Sequence, residues 1–194
     1  MRTVKACAVL LAAAATLTGA CTSGAVINND DVAAPRPVTT TTPPPQFGTA
    51  NLVDASSFLI KSEGRSGYYF TTPSGRWNCA IVPHEQAGCE LAAGLSAGTG
   101  IATAPTEVPD GSGATARPNA ITVDREHDAR FVALGSPVFS ASTAPVLPFG
   151  KVLAVAGFRC NVQEETGVSC VRELTGKGFT FSGDDFALRY TDVP

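Results

Sequence analysis

Gly94-Leu95-Ser96-Ala97-Gly98 is the stretch whose residue types come nearest to catalysis. It has the G-x-S-x-G spacing of a nucleophile elbow, where glycines let a serine ride a sharp strand-to-helix turn with its hydroxyl exposed. Acidic residues and a histidine follow in an order that a hydrolase triad can use, Asp110 or Asp124 and then His127. A serine hydrolase built on Ser96 and His127 needs a parallel sheet, a helix after the turn and backbone oxyanion donors. Here the motif lies in Gly/Ala-rich sequence, where it arises readily by chance. The expectation is therefore that the chain is not an enzyme, and no catalytic residue is assigned.

The other polar clusters have simpler readings. His127 stands among Asp124, Arg125, Glu126 and Asp128, which predicts an exposed charged turn between two strands. Neighbouring strand residues point to opposite faces, so these groups do not converge on a metal. His84 beside Glu85 reads as a hairpin turn, and Glu164 with Glu165 as a solvated acidic tip. Gly176-Lys177-Gly178 lacks the spacing and following helix of a phosphate-binding loop and reads as a tight turn. No metal and no cofactor are expected.

Cysteine spacing carries more information. Cys79, Cys89, Cys160 and Cys170 form two pairs, each separated by ten positions. Four cysteines allow three connectivities, of which the local pairs Cys79–Cys89 and Cys160–Cys170 are favoured. Each local bond closes an eleven-residue loop, worth about 2.8 kcal/mol in loop-closure entropy. A zinc site is disfavoured, because there is no C-x-x-C and neither histidine has ligand spacing to a cysteine. Disulfides persist outside the reducing cytosol, so the pattern predicts an exported domain.

The elements that must position these residues are strands. Tyr68 to Thr72, a Pro73-Ser74-Gly75 turn, and Arg76 to Val82 predict a hairpin with Trp77, Cys79 and Ile81 alternating onto the core face. Pro83 to Gly88 turns the chain so that Cys89 returns opposite Cys79. Further strands are predicted at 120–124, 129–134, 151–155, 157–162, 167–173, 178–182 and 185–190. Within them Phe158, Cys160 and Val162 share a face, as do Phe179 with Phe181 and Phe186 with Leu188 and Tyr190. Gly167 suits a hairpin position of positive φ, which sets Cys160 across from Cys170. Between Leu91 and Pro118 an Ala/Gly/Ser/Thr/Pro stretch with little periodicity predicts a mobile surface loop. No long helical stripe occurs. The fold class is all-β, a small disulfide-stabilised antiparallel sandwich or barrel-like sheet of about eight to ten short strands.

Ahead of this domain the chain reads as an address. Arg2 and Lys5 precede the apolar run Ala6 to Leu17, a signal-peptide core too short to span a bilayer. Leu17-Thr18-Gly19-Ala20-Cys21 resembles the lipobox of bacterial lipoproteins. That resemblance implies cleavage after Ala20 and a diacylglyceryl thioether on Cys21, with stable anchoring by more than one acyl chain. Residues 21–50 then form the lipidated cysteine and a Pro/Thr-rich tether, including the TTTTPPP run at 39–45. The tether is either a bare spacer or O-glycosylated at its threonines. Residues 51–194 form the all-β domain, with its core at about 66–194.

Composition limits the partners. The 194 residues carry 14 basic and 17 acidic side chains and only 16% charge overall, and a pI near 5.3 removes the electrostatic footprint of a nucleic-acid binder. Loss of Arg2 and Lys5 on maturation leaves a net charge of −5, so bulk charge does not hold the domain to anionic lipid or wall polymer.

Several stretches together resemble a family of exported actinobacterial lipoproteins and secreted proteins of unknown function. They are TTPSGRWNC at 71–79, AGCE at 87–90, RPNAITVD at 117–124, VLPFG at 146–150, GFRCNVQEETGVSC at 157–170 and TGKGFTFS at 175–182. The likeness covers roughly residues 66–194 and is carried by the order and spacing of these stretches. Lys177 stands where relatives often carry histidine, and the extra central cysteine pair of some relatives is lacking. The resemblance implies an envelope-anchored β domain and no particular reaction. The leading expectation is a binding or accessory module on the outer face of the plasma membrane. Its membrane contact is the N-terminal lipid, and its loops, such as 91–118, meet a wall polymer, lipid or envelope protein. The rivals are a hydrolase using Ser96 and His127 and a purely structural envelope component.

Overall fold

The computed structural model describes residues 45–62, 65–95 and 98–194. The expected signal peptide, Cys21, the tether before Pro45, and Ser96 lie outside the described residues.

The domain is all-β, built from two antiparallel sheets. In chain order the strands are β1 Leu59–Ser62, β2 Arg65–Thr71, β3 Trp77–Val82, β4 Gln86–Leu91, β5 Val108–Pro109, β6 Thr115–Ala116, β7 Ala120–Asp124, β8 Arg130–Val132, β9 Lys151–Val155, β10 Phe158–Gln163, β11 Gly167–Arg172, β12 Gly178–Phe181 and β13 Phe186–Ala187. One sheet has the order β1-β2-β3-β4-β7-β8, the other β13-β12-β11-β10-β9, and β5 pairs only with β6. A single 3-10 turn, Ala55–Phe58, precedes β1 and is capped by the Asp54 carboxylate on the Ser56 amide at 2.9 Å.

Alternation places one face of each sheet in a common core. Trp77, Cys79 and Ile81 from β3 meet Phe158, Cys160 and Val162 from β10, with Val168, Phe179 and Phe181 beside them, and all are buried. Edge-to-face aromatic pairs, Trp77–Phe181 at 5.2 Å and Phe131–Phe186 at 4.8 Å, join the sheets. Both disulfides form as the local pairs, Cys79–Cys89 and Cys160–Cys170. In each hairpin the two cysteines stand directly opposite, with Cα atoms 4.1 Å apart. That closeness belongs to the non-hydrogen-bonded positions of an antiparallel ladder.

The turns follow local chemistry. Gly75 takes φ 65° in the turn before β3, where its amide donates to the Thr72 carbonyl at 2.8 Å. Gly167 takes φ 82° as expected, and a Cβ there would stand 2.1 Å from the Phe181 carbonyl oxygen, so the position requires glycine on two grounds. Elsewhere the strand expectations need trimming. The last strand spans only Phe186–Ala187, and Leu188 is exposed instead of sharing the inner face with Phe186. The stretch 91–118 holds the β5–β6 ladder and sends Ile101 and Val108 into the core. Small residues hid those two anchors from any periodic reading.

The outer faces are covered differently. Over the first sheet lies Phe139, fully buried with Tyr69, Ala80 and Ala120. The covering segment is held by the Val138 amide donating to the buried Glu90 carboxylate at 3.2 Å, and by Asn119, which bonds both backbone groups of Leu134. Over the second sheet lies the C-terminal segment. Asn161, wholly buried, donates to the Tyr190 hydroxyl at 2.9 Å and the Thr191 carbonyl at 3.0 Å. Thr180 donates to the Arg189 carbonyl at 2.8 Å.

Candidate functional site

The sandwich has two ends, and His84, Asp124, His127 and Lys177, four of the residues singled out from sequence, sit at one of them. Gln86 of β4 pairs with Asp124 of β7, which places the β7–β8 turn beside the β3–β4 turn. There Asp124 accepts the amides of Glu126 at 2.8 Å and His127 at 2.6 Å, the Arg130 guanidinium at 2.7 Å, and faces His127 Nδ1 at 3.1 Å. Burial pushes the Asp124 carboxyl up, but the Arg130 guanidinium, the two amides and the imidazole outweigh it and hold the group at about 2. This is a turn cap, and His127 is exposed, as expected.

Lys177 completes this end. Its ammonium lies 3.2 Å from Asp128, so it crosses to the other sheet's turn. Gly176 beside it takes φ 69° in the β11–β12 turn. His84 takes φ 59° in the β3–β4 turn and is exposed. At the opposite end, Glu164 and Glu165 are exposed at the tip of β10–β11.

Of the serine-hydrolase pattern, Ser96 lies outside the described residues, while its neighbour Leu95 and the Asp124–His127 pair are placed. Leu95, just before Ser96, follows the far end of β4 and lines a depression with Ser74, Gly75 and Arg76. Asp124 and His127 adjoin the Gln86 end. The six-residue strand between them spans roughly 17 Å. Asp110, the other acidic candidate, accepts from the Ser112 amide and hydroxyl at 2.8 and 2.7 Å in an exposed loop, which lowers its pKa.

A cleft lies at the end that holds Leu95, Glu164 and Glu165, walled mostly by the 91–118 stretch expected to supply a binding loop, although neither Arg76 nor Arg117 was singled out from sequence. It has a volume of about 640 Å³ and is walled by Thr99–Ala102, Ala104–Thr106, Arg117–Pro118 and Gly183, with Arg76 at its edge. The turn before β3 delivers Arg76, and the buried Trp77 supports it from below. The indole Nε1 donates to the Thr99 carbonyl at 3.0 Å. The Arg76 guanidinium lies over the indole ring at 4.8 Å and donates to the Gly100 carbonyl at 2.8 Å. The Ala102 amide, donating to the Gly183 carbonyl at 2.9 Å, ties one wall to the loop after β12. The signal that could have found this site is an arginine beside a core tryptophan at the exit of a turn, together with a second arginine before a proline, but neither is specific alone.

Among the described residues no group of three or more His, Cys, Asp or Glu side chains is placed to hold a metal ion, and no helix is long and apolar enough to cross a membrane. Comparison with protein-family models, with curated proteins and with solved structures yields no match.

Proposed function

We propose that the chain is a lipid-anchored binding or accessory module of the cell envelope, held outside the plasma membrane through Cys21, and that it is not an enzyme. The observation that carries this reading is the position of the cleft relative to the point where the chain enters the domain. Pro45 packs against Gly176, where a Cβ would stand 2.8 Å from its Cγ, ahead of β12. Gly183 of the cleft wall follows β12. Pro45 therefore lies at one end of the sandwich while the cleft opens at the other.

Two further points support it. Paired disulfides suit an oxidising compartment outside the cytosol, in keeping with the lipobox-like Leu17 to Cys21. The engagement of Asp124 with the His127 amide and the Arg130 guanidinium, inside its own turn, weighs against a hydrolase triad built on His127.

The test is site-directed photo-crosslinking in living cells, with the probe at Thr106 on the cleft rim or at the remote His84. Reproducible capture from Thr106, competed by excess unlabelled protein and missing from His84, is the expected outcome. Equal background from both positions favours a purely structural component and sinks the binding reading. In parallel, Cys21→Ala should leave the membrane fraction, and unchanged partitioning counts against the anchor.

A further inference from the structure

Resting on the binding-module reading, we propose that the cleft binds an oxyanion, the phosphate or carboxylate group of a ligand about the size of a sugar unit, through Arg76 and Arg117. The chain is acidic overall, with a net charge of −3, yet two guanidinium groups line this one cleft. The ion pairs among the described residues are His127–Asp124, Arg130–Asp124, Arg159–Glu173 and Lys177–Asp128. None involves Arg76 or Arg117, so no described carboxylate oxygen lies within 4.0 Å of either.

The acidic side chains on neighbouring segments have other engagements. Thr115 donates to Glu107 at 3.0 Å and Thr103 donates to Asp185 at 2.8 Å. Asp184, next to Gly183, forms no ion pair with either arginine. Two positive charges thus face a cavity with no described counter-charge in contact.

The Arg76 guanidinium is also positioned before any ligand arrives. Trp77 supports Arg76 as a stacking platform and the Gly100 carbonyl holds one of its N–H donors, which leaves the rest of the planar fork for an oxyanion. Glycine makes the close approach possible on both sides. A Cβ on Gly183 would stand 3.0 Å from Arg76 Nη1, and one on Gly98 would stand 3.1 Å from Arg117 Nε. Side chains fixed in advance lose less entropy on binding. The volume of about 640 Å³ falls within the usual range of small-ligand sites, roughly 300–1,000 Å³.

The experiment titrates the full chain with glucose 6-phosphate, glucuronate and neutral glucose at constant ionic strength. Calorimetry gives the affinity, and fluorescence of Trp77, the single tryptophan, reports on the cleft. Saturable binding of at least one anion, with none of glucose, is expected. Glucose 6-phosphate alone assigns a phosphate ligand and glucuronate alone a carboxylate. Arg117→Gln and Arg76→Gln should each weaken binding about tenfold or more, with Arg76→Lys in between because it keeps the charge and loses the fork. Arg117 is exposed and away from Trp77's ring, so its variant stays informative if Arg76→Gln disturbs the indole.

No saturable binding of either anion below about 10 mM, or equal binding by the doubly substituted Arg76→Gln/Arg117→Gln protein, overturns the inference. Crosslinking from Thr106 in that double variant separates the two proposals. Retained competable capture keeps the binding module and removes the oxyanion site; loss of wild-type capture as well removes both.

Discussion

The hairpins β3–β4 and β10–β11 are two versions of one design that diverge on their outer sides. Each has six-residue arms, a disulfide between directly opposed cysteines, and an aromatic-Cys-aliphatic inner row, Trp77-Cys79-Ile81 or Phe158-Cys160-Val162. On the first hairpin the outward positions Ala80 and Gly88 are small, and Phe139 descends onto them. A Cβ on Gly88 would stand 2.4 Å from the Phe139 ring. On the second, the outward positions are Arg159, Asn161 and Ser169, all buried under a polar cover. Removing such groups from water requires that every donor find a partner. Identical inner rows therefore specify the sandwich, while small or polar outer residues specify which later segment folds back over each sheet.

This contrast is sharpest at the covers. Phe139→Ala should lower stability by about 3–5 kcal/mol, the usual loss for a buried phenylalanine that leaves a cavity. Asn161→Ala, which removes a buried donor to the Tyr190 hydroxyl and the Thr191 carbonyl, should lose about 1–3 kcal/mol. Urea denaturation compares the two, and the reverse ranking breaks the distinction between a packed cover and a hydrogen-bonded one. Next come the shared disulfides. Cys79→Ala/Cys89→Ala and Cys160→Ala/Cys170→Ala should each lose about 2.8 kcal/mol, and by equal amounts, because loops of equal length carry equal closure entropy. A gap of more than about 1 kcal/mol between them would mean that the covers, and not loop closure, decide the loss.

The smallest effect lies at the turn where the two sheets meet. Asp124 is held at about 2, below its ordinary 3.8, so its contribution is present above pH 4 and disappears as pH falls through 2. With allowance for solvent screening this amounts to about 1–2 kcal/mol. Asp124→Asn should be less stable by that amount at pH 7 and should lack this part of the decline between pH 4 and 2. Urea midpoints measured across that range check it, and a decline identical to the wild type would remove Asp124 as its source.

The inner rows were legible because period-two alternation and cysteine spacing both report strand faces. Phe158-Cys160-Val162 and Phe179-Phe181 are buried as read, and both disulfides join the expected partners. Phe139 was not legible, since it stands alone in SPVFSASTAP with no alternating neighbour, and its burial depends on Gly88, fifty-one positions earlier. The same reason hid the two arginines of the cleft. Arg76 and Arg117 are brought together by a fold whose intervening wall, Thr99 to Thr106, is small and aperiodic. His127, by contrast, drew notice through its residue type and proves to lie exposed in the turn that Asp124 caps.

Arg159 gives the entry of the chain a mechanical meaning. Its guanidinium donates to the Gly48 carbonyl at 2.9 Å and covers the Phe47 ring at 5.1 Å, so a pull on Pro45 is transmitted to β10 at its base. Tension between that point and the far cleft runs along the strands. The ladders then bear the load in shear, many rungs together, instead of unzipping one rung at a time. Should the sheets yield, each disulfide still withholds ten residue steps, about 35 Å of chain, from extension. Under a pull between those two points, the hairpins act as short, inextensible links.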